Sequence, residues 1–294
     1  MKNDNNVNAN KGLLGRILSK RHTLSLALVF IGVVVMAKSP LVSLQQIGMF
    51  QNSTTLVVLE DGINPYNIFI KDAVNKHWKT TPFEFISKKE FETRRYDSKY
   101  SFLMLMEYVY DKDPGGVSYS YISLVLGDKS RDINNMPELG SIPLLYFDDT
   151  NLDYEYALPA IVKFLQIHAK NLEKRRFNIY IRGLSYYNTS GFKDMQLLMN
   201  KDKMAPDAYS TEKINTVYPY FVKLLSSSEI KEEIASNPKN ALFHFHVGPN
   251  QDKGIGKCFE MIFDVHGNLH YYSSRKITNE NQDGFNMKDF RRIR

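Results

Sequence analysis

The sequence predicts an α/β protein with mixed sheets of the α+β kind. It is built by tandem duplication of one strand-helix-strand-helix-strand-strand-helix unit behind an N-terminal signal or anchor segment. Three observations carry this prediction: an internal repeat at a displacement of 139 to 140 residues, short apolar strands alternating with amphipathic helical stretches, and a basic stretch followed by an apolar run near the start. The expected organisation is a leader at 1–37, a linker at 38–53, a first unit at 54–175 and a second at 176–294.

The repeat sets PFEFISKKEF (82–91) against FVKLLSSSEI (221–230), and YSFLMLMEYVY (100–110) against KNALFHFHVG (239–248). Ser87 with Glu90, and Ser226 with Glu229, each read as a capping box after a short strand. The serine oxygen takes one free amide of the helix start, and the glutamate reaches back to the other. The stretches DKDPGG (111–116) and NQDKGIG (250–256) each separate two apolar runs, as hairpin connections do.

In the first copy the pattern predicts strands at Leu56–Leu59 and Phe83–Ile86, and helices at Pro65–Trp78 and Lys88–Tyr96. Two long strands, Tyr100–Tyr110 and Val117–Leu126, follow. A helix at Tyr154–Leu172 closes the copy, with Leu158, Ile161, Val162 and Leu165 at helical spacing. The second copy predicts strand Met195–Met199, helix Ser210–Val217, strand Tyr220–Leu225 and helix Ser227–Ala235. A hairpin of Ala241–Val247 with Lys257–Val265 comes next, then strand Leu269–Ser273 and a last helix at Asn286–Arg292.

The formal charge is +6 over 294 residues, which raises the question of nucleic acid. Residues 1–37 hold five cations against Asp4, a net of +4, so residues 38–294 carry only +2. The basicity belongs mostly to the leader, and nucleic acid is not an expected partner. The clusters Lys174-Arg175-Arg176 and Arg291-Arg292-Arg294 read as solvated faces.

The run LSLALVFIGVVVMA (24–37) follows Arg16, Lys20 and Arg21, as the apolar core of a secretory signal follows its basic region. It is shorter than the roughly 20 residues that span a bilayer. The leader therefore reads either as a cleaved signal or as a retained membrane anchor, and both place the body on the periplasmic side. The lone cysteine, Cys258, excludes an intramolecular disulfide and an N-terminal lipid anchor.

Thioredoxin-like folds share this element order, but neither EDGINPYN (60–67) nor MNKDKMAPDAYS (199–210) offers the cysteine pair that redox chemistry needs at the first strand-to-helix turn. GIGK (254–257) lacks the spacing of a phosphate loop, no Gly-x-Ser-x-Gly occurs, and Ser236-Asn-Pro-Lys239 reads as a loop. Asp148, Asp149, Asp153 and Glu155 lack the spacing of a calcium loop and lead into a helix at Tyr154. One polar cluster has ligand chemistry. Strand alternation puts His244 and His246 on one face, and the neighbouring strand can add Cys258 and Glu260, all residue types that bind zinc. Without His-x-x-x-His or Cys-x-x-Cys spacing, the face reads as the polar side of a half-buried sheet under a helix. No catalytic residue, metal or cofactor is expected, and these four residues remain the candidates for a metal. The repeat assigns them Leu105, Glu107, Tyr119 and Tyr121 as counterparts in the first copy.

The stretches NIFIKDAVNKHWKTTPFEFISKKEF (67–91), VSYSYISLVLG (117–127) and KCFEMIFDVHGNLHYYSSRKI (257–277) resemble exported proteins of unknown function from Bacteroidetes. That resemblance implies export and brings no activity or site residues. The resulting expectation is a non-enzymatic cell-envelope protein acting as an interaction or assembly module. Its partners would be other envelope proteins, and the membrane itself if the leader is kept. A small-ligand or metal-binding protein or enzyme, with its site in the second unit or between the units, is the alternative, and a surface adhesin a third class.

Overall fold

Two mixed sheets of five strands each, with the same strand order and the same directions, make up the body. The computed structural model describes residues 41–110, 117–146, 152–236, 240–249 and 255–294. The leader, the DKDPGG turn, Asp148, Asp149 and residues 250–254 lie outside the described residues. Among the described residues no helix is long and apolar enough to cross a membrane.

The elements in chain order are α1 (Leu44–Gln51), β1 (Thr54–Leu59), α2 (Pro65–His77), β2 (Phe83–Ser87), α3 (Lys88–Arg94), β3 (Tyr100–Val109), β4 (Ser118–Leu126), β5 (Glu138–Tyr146) and α4 (Tyr154–Arg182). The second copy follows with β6 (Gln196–Asn200), α5 (Thr211–Asn215), β7 (Val222–Leu225), α6 (Ser227–Ser236), β8 (Ala241–Val247), β9 (Lys257–Asp264), β10 (Leu269–Lys276) and α7 (Met287–Ile293). The first sheet runs β2-β1-β3-β4-β5 and the second, read from its matching edge, β7-β6-β8-β9-β10. In each, the first three strands are parallel and the last two antiparallel. A duplicated unit accounts for this agreement.

Both capping boxes form. Ser87 N–H donates to Glu90 Oε2 at 2.8 Å and Glu90 N–H to Ser87 Oγ at 3.2 Å. The matching bonds at Ser226 and Glu229 are 2.7 and 3.4 Å. A short strand therefore hands over to a helix in the same way in both copies.

The structure departs from the sequence reading in three places. Residues 44–51, expected as linker, form α1, capped by Ser43 and Gln46 and held by buried Ile47 and Phe50. A third antiparallel strand, β5, completes the first sheet. Its Gly140 and Pro143 disguise it, and both are tolerated because β5 is an edge strand whose register shifts beside them. Helix α4 continues ten residues past Leu172 to Arg182, so the expected join at 175/176 falls inside it.

Residues 39–294 form one compact body. Its main core runs through both sheets and along α4, whose Ala157, Leu158, Ile161, Val162 and Leu165 are buried in it. Where the two sheets approach, Phe259 of β9 sits among Tyr119, Tyr121 and Tyr272, with ring centroids 5.3, 6.0 and 6.5 Å away. The Tyr119 hydroxyl accepts from the Lys257 N–H at 2.5 Å, and a Cβ on neighbouring Gly256 would collide with that hydroxyl. Gly256 of GIGK therefore serves this approach of the copies. A second core lies beneath β6, β8 and β9 and includes Ile214, Tyr218, Phe285 and Phe290.

Candidate functional site

Strand β8 is buried along its whole length, so each of its faces meets protein. Phe243, Phe245 and Val247 enter the main core, while His244 and His246 point to the other side. The register of β8 with β9 sets Glu260 directly opposite His246. Strand β10, on the far side of β9, brings in Arg275, and the segment 283–289 closes over all of them.

Glu260 is the centre of this group and is fully buried. Its Oε2 accepts from His244 Nε2 at 2.7 Å, and its Oε1 accepts from His246 Nδ1 at 3.0 Å and Arg275 Nη2 at 3.2 Å. On the other edge of its ring, His246 Nε2 lies 3.3 Å from Asp283 Oδ1. A Cβ at Gly248 would stand 2.6 Å from that oxygen and 2.8 Å from that nitrogen, so only glycine leaves room for the pair. Arg275 continues the chain of charge: its Nη1 donates to Asp289 Oδ2 at 2.9 Å, and its Nη2 also reaches the Gly284 carbonyl. Asp289 in turn accepts from the Tyr271 hydroxyl at 2.7 Å and caps α7 through Asn286.

Of the four sequence candidates, the structure joins His244, His246 and Glu260, whose ligand-type atoms lie within 4.8 Å of one another. Cys258 is buried on the same strand two residues away, outside the group of ligand-type atoms, and burial pushes its thiol up. The face is not half-buried and polar, as the sequence suggested, but closed, with Phe285 set edge-on against the His244 ring at 5.1 Å. Among the described residues the first copy has no counterpart: Glu107 stands opposite Ser120, one residue out of the register that the repeat assigned to Tyr121.

Sequence reasoning missed Arg275, Asp283 and Asp289. The only local signal was the Asn286 to Asp289 spacing of a cap.

The electrostatics are those of an ion-pair network. Burial opposes charge on His246, but the carboxylates of Glu260 and Asp283 outweigh it and raise its pKa to about 10. Burial likewise works against the Glu260 carboxylate, yet His246 and the bonds from both histidines hold it below the usual range. His244 is lowered, because burial exceeds the help from Glu260. As a neutral ring it donates through Nε2 and leaves Nδ1 buried without a hydrogen-bond partner. A divalent cation would have to displace these hydrogen bonds beside the fixed charge of Arg275, so the arrangement suits a buried salt bridge better than a metal centre.

A pH dependence of stability follows. The folded pKa of His246 lies above its unfolded value of about 6.5. Its contribution is therefore complete below that pH and is lost as pH rises through about 10. Glu260, lowered from 4.5, contributes above that value and is lost as pH falls below it. Thermal melts should accordingly lose stability on the alkaline side, and His246→Gln should flatten that limb. An unchanged alkaline slope in the variant would contradict a charged His246.

A second feature lies on the other side of β8. A cleft of about 560 Å³ is walled by α2 and α4 of the first copy and α6 of the second. Phe69, Tyr156, Ile234 and Phe243 form part of its apolar lining. Its rim carries Lys76 paired with Asp72 at 2.8 Å and Lys231 paired with Glu155 at 2.6 Å. The Lys163 ammonium donates to the Val265 carbonyl at 2.7 Å, and the Tyr156 hydroxyl to the His244 carbonyl at 2.8 Å. The strand that carries the buried histidines thus also contributes Phe243 to the cleft. Asp153 and Glu155, read from the sequence as a helix approach, start α4 and tie it to α6 through Ser227 and Lys231.

Compared with known proteins, the chain matches no family model, no curated protein and no solved structure.

Proposed function

We propose that this chain is a non-enzymatic protein of the cell envelope, delivered or anchored on the periplasmic side by residues 24–37, and that its body is an interaction module. The cleft between α2, α4 and α6 receives a segment of a partner envelope protein. That cleft is the observation that carries the reading. Its volume of about 560 Å³ accommodates a few side chains, and its lining combines apolar residues such as Phe69, Ile234 and Phe243 with charged ones such as Lys76, Glu155 and Lys231. The Lys76–Asp72 and Lys231–Glu155 pairs present both signs of charge on it, which a partner segment of matching polarity would meet in one orientation. The buried network behind β8 supports the module by fixing the strand that carries Phe243 into the cleft.

Photo-crosslinking residues placed at Lys76 and Lys231 should give a discrete adduct in the envelope fraction, and the same residue at Tyr96 should not. Adducts at all three positions, or at none, would overturn the assignment of the cleft. Location is tested separately: a reporter active only in the cytoplasm, fused after Arg294, should stay dark.

The spacing of His244, His246 and Glu260 favours one competing reading, a metal-binding protein. It requires stoichiometric zinc in the purified chain, lost on His246→Ala, and finding that would replace the interaction module with a metal centre.

A further inference from the structure

We propose that the last part of α4, residues 170–182, is a docking surface for an anionic phospholipid bilayer. The inference rests on the envelope location proposed above and is independent of the cleft. It begins with the charge of the body. Residues 170–182 hold Lys170, Lys174, Arg175, Arg176 and Arg182 against Glu173, a net of +4, whereas residues 38–294 together carry +2. The rest of the body therefore sums to two negative charges, and this helix end is a dense patch of positive charge against that background.

The apolar groups there are the second observation. Leu172 and Ile179, each 5 % exposed, hold the helix to the body. On the opposite side Phe177, Tyr180 and Ile181 are 58, 40 and 74 % exposed. Their spacing of three and four residues makes them one strip. The Arg176 guanidinium lies 4.5 Å from the centre of the Phe177 ring, so charge and aromatic surface are presented together. An exposed apolar strip on a basic helix fits the boundary of headgroups and acyl chains, where lysine and arginine meet lipid phosphates and the rings enter the apolar edge. A bilayer also accepts a projecting helix side that has no matching groove.

The test uses the full chain with vesicles of phosphatidylcholine alone, or with a third of the lipid replaced by phosphatidylglycerol. Amide exchange over residues 174–182 should slow several-fold on the anionic vesicles only, and high salt should reverse the effect. Joint replacement of Lys174→Glu, Arg175→Glu and Arg176→Glu should abolish the slowing, and so should Phe177→Ser with Ile181→Ser. Unchanged thermal melts would show that the variants still fold. Equal exchange on both vesicle types, or slowing that survives charge reversal, overturns the proposal. Protection of the same residues only when envelope proteins are added would assign the strip to an acidic protein and overturn it as well. Flotation with the neutral vesicles reports on the leader alone, so failure of the anchor reading is seen separately.

Discussion

Replacing Glu260 by glutamine should destabilise the body by about 3–5 kcal/mol, the usual cost of removing one partner from a buried ion pair. For a body of this size that corresponds to a fall in melting temperature of roughly 10 °C. The carboxylate is fully buried and takes three donors, from His244, His246 and Arg275. Glutamine keeps the shape but removes the charge that offsets His246 and Arg275, and its amide nitrogen cannot accept from any of them. The loss should exceed that of Glu173→Gln, an exposed residue on α4. Melts of the two variants measure the difference, and a cost below about 1 kcal/mol, the scale of a surface pair, would mean that the network is not closed as described.

The Phe259→Ala variant tests whether the two sheets fold as one. Phe259 is 1 % exposed and lies at the aromatic junction with Tyr119, Tyr121 and Tyr272. Truncating a buried phenylalanine costs about 3–5 kcal/mol, through lost transfer energy and the cavity left behind. Because one core runs through both sheets and α4, denaturant unfolding of the variant should remain a single transition at lower denaturant concentration. Two separate transitions would show instead that each sheet is stable alone and that the junction is incidental.

The elements were legible where the sequence speaks locally. Strand β8 begins and ends where alternation placed it, at Ala241 and Val247, because the apolar period of two has no competing reading there. The two Ser-x-x-Glu boxes marked the same strand-to-helix junction in each copy, and their hydrogen bonds form within four residues. Strand β5 was not legible. Glycine and proline lower the strand propensity of its sequence, and only the pairing offered by β4 makes the edge position favourable. Helix α1 was hidden for a related reason. A single turn pair with Ile47 and Phe50 has no stability of its own and forms by packing.

The candidate site divides along the same line. The sequence by itself determined that His244 and His246 share a face and that a second strand could bring Glu260 to them, because a strand fixes the side of each residue by its backbone geometry. It also determined that the basicity of the chain sits mainly in the leader. Only the tertiary structure decided that Arg275, Asp283 and Asp289 close the site, turning a possible ligand set into a network of ion pairs. Those residues come from 15 to 29 positions beyond Glu260 in the chain, and their meeting depends on how β10 and the C-terminal segment pack over β9. The cleft has the same origin. No local pattern encodes a surface whose walls come from α2, α4 and α6, since burial and charge pairing at such distances are properties of the assembled cores.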